Sequence, residues 1–324
     1  MEREKIFAEY PGEDNLPLAK LCRKLFVAQE KSWPAFAQAY RDLALVTTRE
    51  MFCGSYKVVL QYNPRRAASS GAAVDEAAIK KRPCFLCAEH LPPLQQGILY
   101  RQDFMILCNP APIFDAHFTV VSVRHKKQEI ASSLNSLLQM AAAAAPEYLV
   151  FYNGPACGAS APDHLHFQMI PANTLPFLGD FSAPPSSGEI SSVLLHQGKD
   201  IDRSVIILEA KSAAALQEKF TLLTKAIHKI ISTNMEPLMN VLCTAGNDGW
   251  RLIIFLRQKH RPDAYFAKGE ERIFVSPGAI DMAGVVITPL VKDFNRLDCE
   301  DMRSIYREVS MPEETLRRIV TLMQ

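Results

Sequence analysis

Apolar residues recur at helical spacing in "LAKLCRKLFVAQEKSWPAFAQAYRDLA", so a helix is expected over residues 15 to 50, broken at Pro34. The pattern then changes period. "YKVVLQYNPRR" reads as a strand running into a turn, and "AASSGAAVDEAAIKKRP" as a surface loop. "DFMILCNP" and "HFTVVSV" are strand-like, "QEIASSLNSLLQMAAAAA" is helical and stops at Pro146, and "YLVFYN" and "HLHFQMI" are two more strands around a glycine loop. Strand, strand, helix, strand, loop, strand is the order of an antiparallel-rich α+β sheet with a packed helix.

A Pro, Ser and Gly-rich stretch, "SAPPSSGEISS" at 182–192, reads as a linker between two halves. Beyond it come "SVIILEA", a long helix in "SAAALQEKFTLLTKAIHKIIS", the apolar runs "MNVLCTAG", "WRLIIFLRQKH", "ERIFVSP" and "DMAGVVITPL", and two closing helices. Setting "MILCNPAPIFDAHFTVVSVRHK" beside "NVLCTAGNDGWRLIIFLRQKHRP" suggests an internal repeat. The second copy carries no paired histidines.

Composition narrows the classes. At 324 residues, 48% hydrophobic and 22% charged, the chain is long enough for a large core and has the balance of a globular protein. A formal net charge of +1 offers no general attraction for nucleic acid or an anionic membrane. No apolar run is long enough to span a bilayer, and the charged start does not resemble a secretory signal, so the cytoplasm is the expected compartment. Most of the eight cysteines stand singly in apolar segments, as reduced small hydrophobes. Only Cys84 and Cys87 are spaced as a device.

In "NGPACGASAPDHLHFQMIP" polar groups keep strand step. Residues two apart on a strand share a face about 7 Å apart, which puts His164, His166 and Gln168 on one side and Leu165, Phe167 and Met169 in the core. Imidazole is mostly neutral at cellular pH and can attack phosphorus. The loop before it supplies donors: Gly154 and Gly158 let main-chain N–H groups turn inward, and Asn153 and Ser160 add side chains. An ordinary turn leading into a strand with a wet face is the competing explanation.

Cys84 and Cys87 in "RPCFLCAEH" can share one metal. His125 and His164 are the candidates for the remaining ligands, with His90 and His117 in reserve; four protein ligands would make the site structural. A reduced buried pair and a redox motif are the alternatives, the latter lacking a βαβ setting.

"CFLC", the strand ending in His125 and "FYNGPACGASAPDHLHFQ" together resemble the galactose-1-phosphate uridylyltransferases of the histidine triad superfamily. "NPAPIFDAHFTVVSV" looks more like the diadenosine tetraphosphate and GDP-hexose phosphorylases, and "IFVSPGAIDMAGVVITPLVKD" is similar to the closing segment of the diadenosine tetraphosphate phosphorylases. The resemblance spans roughly 50 to 295. It implies a duplicated fold: an N-terminal helical segment (1–50), a catalytic half (51–181), the linker (182–192), and a second half with C-terminal helices (193–324). It further implies His166 as the nucleophile that becomes nucleotidylated and Gln168 as the amide on the transferred phosphate. Asn153, Gly158 and Ser160 fall in the phosphate loop, and Arg66, with Arg65 competing, near substrate phosphates. Cys84, Cys87, His125 and His164 match zinc ligands, and His117 matches a histidine in the middle of the sheet.

The expected activity is a phosphorylase acting on a nucleoside diphosphate sugar or a dinucleoside polyphosphate. Phosphate is preferred as acceptor because the sugar-binding segment of the uridylyltransferases has no match. Sugar-phosphate exchange, hydrolysis and non-catalytic nucleotide binding are the alternatives, and a homodimer is compatible with all of them.

Overall fold

In the computed structural model the described residues are 3–13, 15–71, 76–180, 192–196 as main chain, 201–233 and 235–323. The strands in chain order are β1 (Ile6–Tyr10), β2 (Thr47–Cys53), β3 (Tyr56–Tyr62), β4 (Gly97–Tyr100), β5 (Phe104–Cys108), β6 (Phe118–Ser122) and β7 (Tyr148–Asn153). There follow β8 (His166–Pro171), β9 (Ser192–His196), β10 (Val205–Ala210), β11 (Met239–Gly246), β12 (Gly249–Leu256) and β13 (Val285–Thr288). Ten of them form one sheet in the order β1-β4-β5-β6-β8-β7-β11-β12-β10-β9, antiparallel except at β1-β4.

The strand order contains a repeat. Helix Leu134–Ala144 connects β6 to β7, and helix Ala213–Ile231 connects β10 to β11. Thus β5-β6-helix-β7-β8 corresponds to β9-β10-helix-β11-β12, and the two units join where β7 meets β11. The repeat suggested by the sequence was out of step: it set β5-β6 against β11-β12, because both are apolar hairpins followed by basic residues. In the correct register β12 is the counterpart of β8. A two-residue turn, Asn247-Asp248, stands where the first unit has the twelve residues between β7 and β8. The second unit therefore has no phosphate loop of its own.

One face of the sheet is covered by helices Leu18–Ser32, Pro34–Leu43, Leu134–Ala144, Ala213–Ile231 and Glu313–Thr321. Leu165, Phe167 and Met169 point into this layer, as the alternation predicted. The other face packs against a three-stranded sheet, β13-β3-β2, and helix Cys299–Val309. Each apolar face of the large sheet is thereby removed from water, the main stabilising term for such a layered fold.

Several local readings need correction. β1 precedes the N-terminal helices and pairs with β4, although its short mixed run gave no strand signal. The surface-loop reading of residues 67–83 misses helical turns at Ala67–Ser70 and Glu76–Lys80. "ERIFVSP" is an extended connection, not a strand, and "GVVITP" supplies β13 to the small sheet. Of the linker at 182–192, only Ser192 lies within the described residues. Cys53 and Cys299 are not reduced hydrophobes but a disulfide that ties the end of β2 to the start of helix Cys299–Val309. Their separation of 246 residues leaves no local spacing to read.

Candidate active site

His166 opens β8 and is 4% exposed. Its Nδ1 lies 2.8 Å from the His164 carbonyl. A carbonyl only accepts, so Nδ1 carries the hydrogen and the lone pair of the neutral ring is on Nε2. Burial pushes the imidazole down to about 4.

The main chain of His166 is held by Gln128, which neither motif contains. Gln128 Oε1 accepts from the His166 N–H at 2.8 Å, and its Nε2 donates to the carbonyls of His166 and Asn153. One amide therefore bridges the ends of β7 and β8 where the strands part around the loop.

Gln168 shares the His166 face. Its Oε1 accepts from His117 Nε2 at 2.7 Å, while His117 Nδ1 accepts from the Ile113 N–H. These contacts fix the histidine tautomer, and the tautomer fixes the amide: Gln168 keeps Nε2 as a donor for the cavity. His117 is fully buried, and burial with Arg66 nearby pushes it down to about 3, so it remains a neutral orienting group.

Two adjoining cavities meet beside these residues. A cavity of 640 Å³ is lined by His166, Gln168, Ser160, Arg66 and the apolar Phe85, Leu86, Leu107 and Pro110, among others. A tighter polar chamber of 70 Å³ is lined by Asn153, Gly158, Ser160, Gln168, Arg66 and Asp281, together with His260, Arg261 and Ser276. Thus all six residues expected to handle the phosphate line one or both spaces. Arg65 pairs instead with Asp42.

Backbone geometry shapes the chamber. Gly158 has φ +101°, and a Cβ there would meet the Gly278 Cα at 2.9 Å, so the loop can approach the second half only with glycine. The Asn153 Oδ1 accepts from the Ala279 N–H and from Asn240 Nδ2, each at 2.8 Å, which leaves Nδ2 as its donor end. Arg66 Nη1 donates to the Ala111 carbonyl, and its buried Nε has no hydrogen-bond partner. Burial lowers Arg66 only to about 10, so it keeps its charge; burial raises the opposing Asp281 to about 6.

His260, Arg261, Ser276 and Asp281 were missed as site residues because they lie in the second half, far along the chain from the motif. The signals were "RQKHRP", a basic run at the end of a strand, for His260 and Arg261, and the phosphorylase-like stretch "IFVSPGAIDMAGVVITPLVKD" for Ser276 and Asp281.

The metal-ligand candidates also converge. The ligand atoms of Cys84, Cys87, His125 and His164 all lie within 4.8 Å of one another. Sulfur to nitrogen distances are 3.2 Å for Cys84–His164 and Cys87–His125, and 3.6 Å for Cys87–His164. A tetrahedral zinc with ordinary bond lengths separates such ligands by about 3.5 Å. His164 Nε2 donates to the Ser122 carbonyl at 2.8 Å, which leaves Nδ1 for an ion, as an orienting contact should. His90 instead bonds the Cys84 carbonyl, and His117 serves Gln168. The group could therefore hold a metal ion.

A domain family described only as a domain of unknown function, DUF4922, matches residues 25–171. No curated protein matches the chain in sequence. The fold is shared with a solved nucleotide phosphorylase. A crystal structure of yeast Ap4A phosphorylase Apa2 in complex with AMP is similar with a TM-score of 0.60 and 16% identity, over 91% of this chain and 97% of that one. The same enzyme in complex with Ap4A gives 0.61 and 15%, again over 91% and 97%. An Arabidopsis thaliana ADP-glucose phosphorylase with bound ADP-glucose reaches only 0.33, at 16% identity over 82% of this chain and 99% of that one. Among the described residues, no helix is long and apolar enough to cross a membrane.

Proposed function

We propose that this chain is a nucleotidyltransferase of the phosphorylase type, working in the cytoplasm by two displacements at His166. The observation that carries the reading is the pair of tethers: His166 Nδ1 on the His164 carbonyl and Gln168 Oε1 on His117. Together they leave one nucleophilic nitrogen and one amide donor facing a cavity large enough for a nucleotide.

In the first step Nε2 attacks the α-phosphorus of a nucleoside diphosphate sugar or dinucleoside polyphosphate. A P–N bond forms, the bridging P–O bond breaks, and a sugar phosphate or nucleotide departs. In the second, an oxygen of inorganic phosphate attacks the same phosphorus, the P–N bond breaks, and a nucleoside diphosphate leaves. Gln168, Asn153, Ser160 and the loop around Gly158 supply donors to the equatorial oxygens, whose charge is the main demand of phosphoryl chemistry. Arg66 holds the distal phosphate. The apolar walls at Phe85, Leu86, Leu107 and Pro110 take the nucleoside. The fold shared with an enzyme solved with AMP and with Ap4A supports this substrate class.

Zinc is the ion that suits Cys84, Cys87, His125 and His164, since two thiolates and two imidazoles match its preferences and leave no open position. Its part is to cross-link three segments and fix where β8 begins. Metal analysis of the protein tests the zinc, and sedimentation tests a homodimer.

The reaction is tested by product analysis with ADP-glucose, GDP-hexose and Ap4A, each with and without phosphate. Phosphate-dependent release of the nucleoside diphosphate, or of ADP plus ATP from Ap4A, is expected. Release of the monophosphate regardless of phosphate would make the protein a hydrolase.

A further inference from the structure

Arg257 is among the largest fully buried side chains of the described residues, 1% exposed. It stands just beyond β12 in the second half, and none of its side-chain hydrogen bonds among the described residues goes to the motif strand. Its Nη1 donates to Asn240 Oδ1 at 2.7 Å and to the Pro277 carbonyl at 3.0 Å. Nη2 donates to the carbonyls of His260 and Lys259, and Nε to that of Val309. All of these acceptors are neutral oxygens. A buried cation held only by dipoles is expensive unless its geometry serves something.

What it holds is the wall of the polar chamber. His260 lines that chamber directly, and Pro277 precedes the lining residues Gly278 and Ala279. The third acceptor, Asn240, is wholly buried and stands opposite Asn153 in the β7–β11 ladder. With its oxygen bound to Arg257, the Asn240 amide can offer only Nδ2, which donates to Asn153 Oδ1 at 2.8 Å and to the Cys157 carbonyl at 2.6 Å. The orientation of one amide thus sets the next. Arg257 fixes Asn240, Asn240 fixes Asn153, and Asn153 turns its N–H₂ toward the chamber.

We infer that Arg257 and Asn240 are positioning residues for nucleotidyl transfer: the second half, which has no phosphate loop, orients the Asn153 donor and the loop carrying Gly158 and Ser160 in the first. The inference rests on the proposed role of His166. It also gives the second half a task that its sequence does not advertise. Arg257 makes no hydrogen bond to a carboxylate among the described residues, though Asp281 of the chamber acts on it through space; its positive charge stands behind the same loop and offsets that carboxylate when an anion enters.

Asn240→Asp is the discriminating variant. The carboxylate keeps the Arg257 contact as an ion pair, but it can no longer donate to Asn153 or Cys157 and repels both oxygens. The experiment follows labelling of the intact protein by α-phosphate-labelled Ap4A and ADP-glucose, reading rate and amplitude separately. Amplitude counts folded active chains, and rate reports geometry. Asn240→Asp should label about 10- to 100-fold more slowly, the range for an oxyanion donor that is weakened or lost. The donor concentration for half-maximal rate should stay within about threefold. In the Asn153→Ala background the same substitution should have little further effect, because the donor it orients is gone.

Equal rates for wild type and Asn240→Asp, or additive losses in the double variant, would overturn the inference alone. Absence of labelling in the wild type would overturn the His166 reading and this inference with it. If Asn240→Asp does not fold, Asn240→Ser, which shortens the side chain without adding charge, gives the same comparison.

Discussion

Gln168→Glu is nearly isosteric, and its consequences can be worked from the His117 contact. In the wild type Gln168 presents Oε1 to His117 Nε2–H at 2.7 Å and an N–H₂ group to the cavity. A carboxylate preserves the first contact and replaces the donor with an acceptor. Loss of one oxyanion donor costs roughly 10²- to 10³-fold in rate. Repulsion between the new charge and a phosphate oxygen about 4 Å away adds roughly 4 kcal/mol at an effective dielectric near 20, or close to another 10³-fold.

If His117 takes up a proton beside the new carboxylate, the pair is neutral and only the donor loss remains. The labelling rate should therefore fall at least about 100-fold in either protonation state, with further slowing at higher pH where His117 is neutral. Gln168→Ala, which removes the donor without adding charge, should sit near the smaller figure. Rapid-quench measurement of protein labelling reads the step directly, and urea unfolding checks the fold. A Gln168→Glu rate within tenfold of wild type would show that this amide does not face the transferred phosphate.

Metal analysis should find about one zinc per chain, and Cys84→Ser should lose it together with part of the structure that sets the start of β8. Equal, low metal in both proteins would remove the ion from the account. Breaking the Cys53–Cys299 disulfide by Cys53→Ser should reduce unfolding stability by about 2–4 kcal/mol in denaturant titrations, and no change would mean that the two thiols are unbridged in solution. Burial pushes the Glu236 carboxyl up to about 7, with Glu129 adding to the rise and donors from Tyr152 and Ile130 opposing it. The folded state thus binds this proton more tightly than the unfolded chain. Its contribution is complete below the ordinary carboxyl value of 4.5 and is lost as pH rises through about 7. Glu236→Gln should flatten the stability decline between those values, and an unchanged pH profile would refute the assignment.

The sequence was most informative where chemistry and period coincide. His166 and Gln168 could be put on one face because a strand repeats every two residues, and the Cys84–Cys87 spacing pointed to a metal without any fold. Residues that act through distant partners gave no such signal. Gln128 looked like the polar start of a helix, yet it clamps the His166 main chain. His117 was held in reserve as a metal ligand, and only the β6–β8 register, with Thr119 opposite Gln168, brings it to that amide. Asn240, Arg257, His260 and Arg261 reach the site through the β7–β11 junction and the chain beyond β12, neither of which a linear pattern encodes. The repeat was sensed but misaligned, since apolar hairpins of similar composition occur at several places in a duplicated sheet.

The central claim is that His166 becomes covalently nucleotidylated. Incubation of the protein with α-phosphate-labelled Ap4A or ADP-glucose in the absence of phosphate, followed by rapid denaturation and peptide mapping, tests it directly. The account predicts label on the peptide containing His166, stable in base and labile in acid as a phosphoramidate should be, discharged as a nucleoside diphosphate when phosphate is added, and absent from His166→Gly. Turnover of these substrates with no labelled protein, or undiminished turnover by His166→Gly, would contradict it.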